Sequence, residues 1–255
     1  MTTHQKTILA GPGGNYTAFV LDDVRTEDRL TLDQQLRRDD PRIEQTCFVS
    51  KADKGWHGEM AGSEFSGAPA LSLGYLISTW EKCDSVEFSF SGAPQPISVT
   101  RNDDTVSSTL FPNVLYKTKE SDEGLICIEF PGITYLVDCQ PHGKQHDMAS
   151  YMRNLIARHR LQNNPAVGLI QLEKRGQDIT IDPWVWVKNV GSLINETACI
   201  SGATAVGLIE YEWRGQPDFT IQIGQPCGTP TTVRYIKKTD ATIDIQVSSK
   251  IVILE

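Results

Sequence analysis

Two short stretches of small residues have the composition of ligand-binding helix starts. Residues 66–70 read Ser-Gly-Ala-Pro-Ala, and residues 201–205 read Ser-Gly-Ala-Thr-Ala. An acid precedes each stretch, Glu64 in the first case and Glu196 in the second, and an apolar run ending in a tryptophan follows each. A helix N-terminus presents unpaired N–H groups and a partial positive charge. Each stretch therefore predicts an anion-binding helix start with a hydroxyl at its tip.

One such stretch lies in each half of the chain, which predicts two similar domains facing one site. Small residues at a helix start can also serve packing alone. Asn15, which directly follows the glycine cluster at 11–14, could reach a ligand or could only shape a left-handed turn.

Composition and charge narrow the class of partner. The chain has 255 residues, and 24 basic against 32 acidic residues give a formal net charge of −8. This balance argues against nucleic acid or an anionic membrane as a partner, and it carries no information about small-molecule ligands. Residues 1–14 lack the apolar core of a signal peptide, and no apolar run approaches the ~18 residues of a transmembrane helix. We expect a cytoplasmic protein, and a homodimer on general frequency.

Cysteine and histidine spacing predicts neither disulfides nor a metal site. The six cysteines are scattered and form no Cys-x-x-Cys pair, so a disulfide framework is not expected in a cytosolic chain. His142 and His146 are four residues apart and could bind a metal from a helix. They flank Gly143 in a segment that reads as a turn, so no metal site is predicted.

The remaining pattern shows which elements must position the two stretches. Apolar spacing and Pro69 predict a helix over 67–80, and a second helix follows the second stretch. A short helix is expected at 33–38, an amphipathic helix at 146–161, and a loop at 53–66. Strands are predicted at 8–9, 19–21, 47–49, 86–90, 97–99, 114–116, 125–128, 133–137, 167–172, 179–181, 184–187, 219–223, 232–236 and 243–254.

Strand-rich stretches with one long buried helix in each half predict an α+β fold. We expect two pseudo-symmetric domains, each a curved and mostly antiparallel sheet wrapped around a central helix. The first domain is predicted to comprise residues 1–115 and 243–255, and the second residues 116–242.

Four segments, in chain order, resemble the motifs of one enzyme superfamily. Residues 13–22 resemble an opening Gly-x-Gly-Asn-Asp-Phe strand with its terminal Asp, and residues 64–68 resemble a first catalytic turn, Glu-x-Cys-Gly-Asn. Residues 140–142 resemble an Asn-Pro-His element, and residues 196–203 resemble a second turn, Glu-Thr-x-Ala-Cys-Gly-Thr-Gly. Over nearly its whole length the chain thus resembles the diaminopimelate epimerase superfamily of amino-acid racemases and epimerases. It is most similar to the histidine-racemase branch linked to metallophore synthesis.

The resemblance implies a racemase that uses no pyridoxal phosphate or other cofactor and acts on an amino acid, histidine or a related one. Such enzymes place a thiol on each side of the α-carbon: one removes the α-proton as a thiolate, and the other delivers a proton to the opposite face. The resemblance assigns the catalytic positions to Ser66 and Ser201, and the substrate contacts to Asn15, Glu64, Gly67, Ala68, Glu196, Gly202 and Ala203.

Serine in place of cysteine leaves three interpretations open, because a hydroxyl is a weak proton-transfer base. The serines could be natural, with another base at work; the protein could be an inactive homologue that binds amino acids; or both cysteines could have been substituted by serine. Cys199 could instead be the second cysteine of the motif, although Ile200 would then occupy a glycine position. A weaker register for the first turn places Ala61 at its catalytic position.

A different isomerase on the same fold is the alternative function. Residues 65–71 also resemble the Phe-Ala-Gly-His-Pro-Thr turn of the phenazine-biosynthesis type. The histidine of that turn would fall at Ala68, which counts against this alternative.

Overall fold

The computed structural model describes residues 6–53, 55–115, 118–120, 124–140, 147–239 and 242–254. The helices are α1 (Thr26–Asp39), α2 (Gly67–Glu81), α3 (Met148–Arg158) and α4 (Ile200–Arg214). The first strands are β1 (Thr7–Gly11), β2 (Tyr16–Val20), β3 (Ile43–Ala52), β4 (Gly55–Met60), β5 (Ser85–Phe90), β6 (Ile97–Asn102), β7 (Thr105–Leu115) and β8 (Thr118–Glu120). The others are β9 (Leu125–Phe130), β10 (Ile133–Asp138), β11 (Ala166–Arg175), β12 (Asp178–Val187), β13 (Ser192–Asn195), β14 (Asp218–Ile223), β15 (Thr231–Lys237), β16 (Thr242–Lys250) and β17 (Val252–Leu254).

These strands form two sheets, and the α+β prediction is confirmed. The larger sheet has the order β14-β15-β16-β7-β6-β5-β4-β3-β2-β1-β17, and the smaller one the order β13-β12-β11-β10-β9-β8. Only the pairs β2/β3, β4/β5 and β10/β11 are parallel among the described strands. The sheets are therefore mostly antiparallel, as the sequence predicts.

Each of the two stretches of small residues begins a central helix. α2 packs against β1, β2 and β4–β7, whereas α4 packs against β10–β12 and β14–β16. The two helices also contact each other. Close packing requires small residues here: a Cβ at Gly74 of α2 would lie 2.5–2.7 Å from the Val99 side chain, and one at Gly207 of α4 would lie 2.4 Å from the Tyr235 hydroxyl.

The larger sheet runs through both halves of the molecule. β16 pairs on one side with β15, which packs on α4, and on the other side with β7, which packs on α2. The β16/β7 pairing is irregular, with register shifts between Ile243 and Ile245 and between Ile245 and Gln246. The domain boundaries at 115/116 and 242/243 stay a prediction.

Three predicted elements are wrong in detail. The segment 53–66 is not only a loop, because it contains β4, which pairs with β3. Gly58 does not break this strand. A Cβ there would lie 2.6–2.8 Å from Leu73 and Phe90, so this glycine allows close packing. The strands predicted at 179–181 and 184–187 are one strand, β12, in which the Pro183 carbonyl accepts from the Glu196 N–H.

The third correction is that the last predicted strand is interrupted at Ile251, which separates β16 from β17. The Ile251 N–H donates to the Asp104 carbonyl. α1 is longer than predicted, whereas α3 is shorter. His142 and His146, considered above as metal ligands, lie outside the described residues, as does Tyr116. None of the helices in the described part of the chain is both long and apolar enough to cross a membrane.

Candidate active site

The two central helices begin at equivalent positions that hold a serine and a cysteine. Ser66 is the N-cap of α2, with φ −136° and ψ 123°, and Cys199 is the N-cap of α4, with φ −124° and ψ 97°. Neither side chain caps its own helix. Ser201, predicted at the tip of the second helix, is instead the second residue of α4. The residue that structurally matches Ser66 is therefore Cys199.

Gly67 explains why Ile200 is accommodated at the start of α4. The branched side chain of Ile200 follows Cys199 directly, where the second-turn motif has a glycine. In the structure it occupies the space that a side chain at position 67 would need: a Cβ there would lie 3.0 Å from Ile200 Cγ2 and 3.2 Å from Ile200 Cβ. The missing side chain of one helix start thus makes room for the bulky residue of the other.

The two helix starts enclose one cavity. The Gly67 N–H donates to Ser201 Oγ at 3.2 Å, which joins α2 to α4. The cavity has a volume of about 40 Å³, enough for a few water molecules and too small for an amino acid. It must therefore widen to admit a substrate. Its lining includes Ser66, Gly67, Ala68, Cys199, Ser201, Glu44, Glu64, Glu196 and Tyr135.

Most of the residues assigned from the sequence line this cavity. Of the described candidates, Asn15, Gly202 and Ala203 lie outside the lining. Asn15 is buried and is not in the left-handed conformation, so it is not the turn residue considered above. Its Nδ2 donates to the Ala198 carbonyl at 2.5 Å, and its Oδ1 accepts from Gln45 Nε2 at 2.8 Å. Asn15 thereby fixes the residue directly before Cys199.

Gly202 and Ala203 belong to the first turn of α4. A Cβ at Gly202 would lie 3.0 Å from Cys199 Sγ and 2.7 Å from Ile170 Cδ1. The Gly202 N–H helps to lower the pKa of the thiol, as a helix N-terminus does. This glycine therefore gives the sulfur both room and an N–H donor.

The sequence analysis missed two functional candidates, Glu44 and Tyr135. The Glu44 carboxylate accepts from the Thr197 N–H at 3.1 and 3.2 Å and from the Thr197 hydroxyl. The hydroxyl of Tyr135 lies 3.5 Å from Cys199 Sγ. Both residues lie on strands far from the helix starts in sequence, and no local spacing marks them. The signal for Cys199 was present, since Ala198-Cys199 repeats the Ala-Cys pair of the second turn.

Three carboxyl groups in this region have raised pKa values because burial disfavours their charged forms. Burial raises the pKa of Glu44 to about 7, although the hydrogen bonds from Thr197 oppose the shift. Burial also raises the pKa of Glu64 to about 7. For Glu196 the value is about 8, through burial and then the charge of Glu44. Glu64 Oε2 has no hydrogen-bond partner among the described residues.

The Cys199 thiol is protonated in this arrangement. Burial raises its pKa well above the ordinary value, and the neighbouring Glu196 adds to the shift. A hydrogen bond from Tyr135 and the Gly202 N–H act in the opposite direction. The site thus holds a thiol between groups that favour the thiol form and groups that favour the thiolate.

Two comparisons with known sequences identify relatives of this chain. Residues 6–254 match the family model described as the histidine racemase CntK N-terminal domain. A histidine racemase from Fusobacterium nucleatum subsp. nucleatum is 25% identical over 215 residues, which are 78% of this chain and 78% of that protein.

Solved structures of several enzymes share the fold. An epimerase, described as predicted, from Pseudomonas aeruginosa has a TM-score of 0.65 at 14% identity, covering 98% of this chain and 97% of its own. A hydroxyproline epimerase from Agrobacterium vitis with bound trans-4-hydroxy-L-proline gives 0.61 at 10%, covering 99% and 92%. A phenazine biosynthesis protein of the PhzF family from Enterococcus faecalis gives 0.61 at 10%, covering 98% of each. At these identities the likeness concerns the fold alone.

Proposed function

Since the chain belongs to the family of the histidine racemase CntK N-terminal domain, and is an isomerase of the racemase and epimerase type, we propose that it inverts the α-carbon of histidine or a related amino acid. In this proposal the reaction needs no cofactor, and the two acid/base groups are Ser66 and Cys199. We thus assign the second catalytic position to Cys199 and not to Ser201, the residue assigned from the sequence.

The observation that carries the proposal is the pairing of the two N-caps. Ser66 and Cys199 occupy the same position on two helices whose starts are joined by the hydrogen bond from Gly67 to Ser201, and both line one cavity. Groups from two facing helix starts can reach opposite faces of an α-carbon held between them. Inversion without a cofactor requires this placement.

The helix starts supply the electrostatic part of the mechanism. The N–H groups of the first turns, including those of Gly67, Ala68 and Gly202, are suited to hold the substrate carboxylate. They also stabilise the negative charge that develops as the α-proton leaves. Entry of the carboxylate would displace the contact between Gly67 and Ser201, which frees an N–H donor for the substrate. Closure of the two halves would then exclude water from the site.

The substrate ammonium group has two candidate partners in Glu64 and Glu196. Both are buried at the cavity, and Glu64 Oε2 has no partner among the described residues. A bound ammonium group would favour the carboxylate forms and bring their raised pKa values down again. Asn15 supports this end of the site through Ala198, and the N–H of Ala203, in the first turn of α4, donates to the Cys199 carbonyl.

Cys199 and Ser66 differ in acid and base strength. The α-proton is therefore removed from the two faces of the α-carbon at different rates. The Cys199 thiolate removes the α-proton of the enantiomer facing it, and the Ser66 hydroxyl delivers a proton to the opposite face. The reverse passage requires Ser66 to act as a base, which a hydroxyl does poorly. Since Cys199 retains a thiol, only position 66 departs from the two-cysteine pattern, and a double Cys→Ser substitution is not needed to explain the site.

Histidine as substrate rests on the family match and on the relative from Fusobacterium nucleatum. A role in metallophore synthesis, a cytoplasmic location and a homodimeric state extend the proposal and rest on the sequence. The phenazine-type isomerase and the amino-acid-binding homologue are the competing functions.

Proton NMR in D₂O with separate L- and D-amino acids, histidine included, tests the proposal. We expect the α-proton signal of one histidine enantiomer to disappear, and chiral chromatography of the same samples to show slower appearance of its mirror image. Cys199→Ala is expected to abolish both processes, whereas Ser201→Ala should leave measurable exchange. Exchange that survives in Cys199→Ala would contradict the assignment of the base. Binding without exchange, for every amino acid, would favour the binding homologue.

A further inference from the structure

The packing around Tyr135 leaves space for its ring because the facing residue is a glycine. Tyr135 lies on β10, is buried, and faces Gly168 of the neighbouring strand β11. A Cβ at Gly168 would lie 2.3 and 2.4 Å from the Tyr135 ring atoms Cε1 and Cδ1. The Phe130 ring packs edge-on with a centroid distance of 6.4 Å. Together these contacts fix where the hydroxyl points.

That hydroxyl reaches the sulfur at the start of α4. Tyr135 Oη lies 3.5 Å from Cys199 Sγ, a normal hydrogen-bond distance for sulfur.

The charge of Cys199 sets the direction of this hydrogen bond. A thiolate has no proton to donate, so the Tyr135 hydroxyl is the donor whenever Cys199 is charged. Burial raises the pKa of Tyr135 well above its ordinary value, so its hydroxyl keeps the proton that it donates. A hydrogen bond to the charged form of a group favours that form.

We propose that Tyr135 is a positioning residue for Cys199: held in place by its packing, it donates a hydrogen bond to the sulfur and favours the thiolate over the thiol. The proposal rests on the proposed function in taking Cys199 as the base.

The other titratable groups near the sulfur act against the thiolate. Glu196, from the segment before α4, adds negative charge and shares a hydrogen bond with Cys199. Glu44, on β3, acts on Glu196 in turn. The Gly202 N–H, like Tyr135, favours the thiolate. Removing the Tyr135 hydroxyl should therefore raise the pKa of the Cys199 thiol, because the effect of the opposing carboxyl groups remains.

Two measurements on Tyr135→Phe test the proposal. The first is the infrared S–H stretch of Cys199, which reports hydrogen bonding without turnover. The Cys199 band is isolated by subtracting the spectrum of a protein that carries Cys199→Ala in the same background. The second is the pH profile of kcat/KM for α-proton exchange with histidine. Tyr235→Phe is the matched control, because the buried Tyr235 hydroxyl donates to the Thr204 carbonyl of the same helix and does not touch the thiol.

We expect Tyr135→Phe to shift the S–H band and to move the rising limb of the pH profile up by about one pH unit, as loss of a hydrogen bond to a charged group predicts. Tyr235→Phe should do neither. An S–H band unchanged in Tyr135→Phe overturns the hydrogen bond, and an unchanged pH profile overturns the effect on the thiolate. Absence of exchange in the unmodified protein rejects the proposed function, while the band still decides whether Tyr135 holds the sulfur.

A second substitution decides the matter if Tyr135→Phe does not fold. Replacing Tyr135 with 3-fluorotyrosine keeps the ring and the hydroxyl and makes the hydroxyl a stronger hydrogen-bond donor. We expect this replacement to shift the S–H band and to move the rising limb of the pH profile down. A band and a profile that match those of the unmodified protein would overturn the proposal.

Discussion

The Gly67 N–H donates to Ser201 Oγ at 3.2 Å, which joins the first residue of α2 to the first turn of α4. This hydrogen bond connects two helices that belong to opposite halves of the chain. It also brings Ser66 and Cys199, the residues that precede the two helices, to one cavity. The catalytic proposal depends on this relationship, and the predictions below test its parts separately.

Cys199→Ser is predicted to lower α-proton exchange with histidine by 10²–10⁴-fold, the usual contribution of a general base. Ser201→Ala should cost less, because in this arrangement its hydroxyl accepts from the Gly67 N–H and does not remove the proton. Initial rates from proton NMR in D₂O give both values. A larger loss in Ser201→Ala than in Cys199→Ser would return the catalytic role to Ser201.

Ser66→Cys is predicted to raise the rate of inversion by about tenfold or more, since a thiolate is a far better base than a hydroxyl. In the unmodified protein, one enantiomer should exchange its α-proton faster than it inverts, because Cys199 can return a deuteron to the same face. In Ser66→Cys the two rates should approach each other. Chiral chromatography together with NMR measures both, and equal rates in the unmodified protein would refute the asymmetry.

Stability is predicted to fall as the pH rises from about 5 to 8. The pKa values of Glu64 and Glu196 are about 7 and about 8 in the folded protein, above those of exposed glutamates. The folded state therefore binds more protons than the unfolded state in this range, and raising the pH favours unfolding. At about 1.4 kcal/mol for each pKa unit, the loss per carboxyl is on the order of 1–3 kcal/mol.

Urea midpoints measured across this pH range test that prediction. Glu196→Gln should flatten the slope, because the amide does not titrate. Glu81→Gln is the control: this exposed carboxyl pairs with Lys51 and its pKa is lowered, so it stays ionised throughout the range. An unchanged slope in Glu196→Gln would show that this carboxyl does not carry the effect.

Arg37→Met is predicted to destabilise the protein by about 3 kcal/mol, because it leaves a buried charge without a partner. Arg37 Nη2 lies 2.5 Å from Oδ2 of Asp33, whose side chain is only 3% exposed. Arg25→Met is the matched control, since Arg25 pairs with Asp28 at the same helix but is 72% exposed, and should cost less than about 1 kcal/mol. The free energy of unfolding in urea gives both values, and equal costs would contradict the role of burial.

Local signals in the sequence were sufficient for α2. Ser66, Pro69 and the apolar spacing that follows predict a helix over 67–80, and the helix spans Gly67–Glu81. The start of α4 was harder because the same Ser-Gly-Ala string begins at the second residue of the helix and not at its N-cap. Its position depends on Ile200 filling the space beside Gly67, a contact between residues far apart in sequence.

Long-range packing also explains the other differences. In the sequence Gly58 indicates a break in a strand, and β4 was missed for that reason. In the structure the glycine makes room for the side chains of Leu73 and Phe90. Glu44 and Tyr135 were missed because each acquires its role from a partner on another element, Thr197 and Cys199. Such partners have no local sequence signature.

The strand β16 has a mechanical consequence for the opening of the site. It is hydrogen bonded to β15 on one side and to β7 on the other, so the larger sheet is continuous across the two halves. In the proposed mechanism, opening the site would therefore bend this sheet, and we expect the bend to fall at the register shifts around Ile245, where the β16/β7 ladder is disrupted. Bending strains the hydrogen bonds between the strands, so relaxation of the sheet would favour the return of the two helix starts to contact once the site is empty.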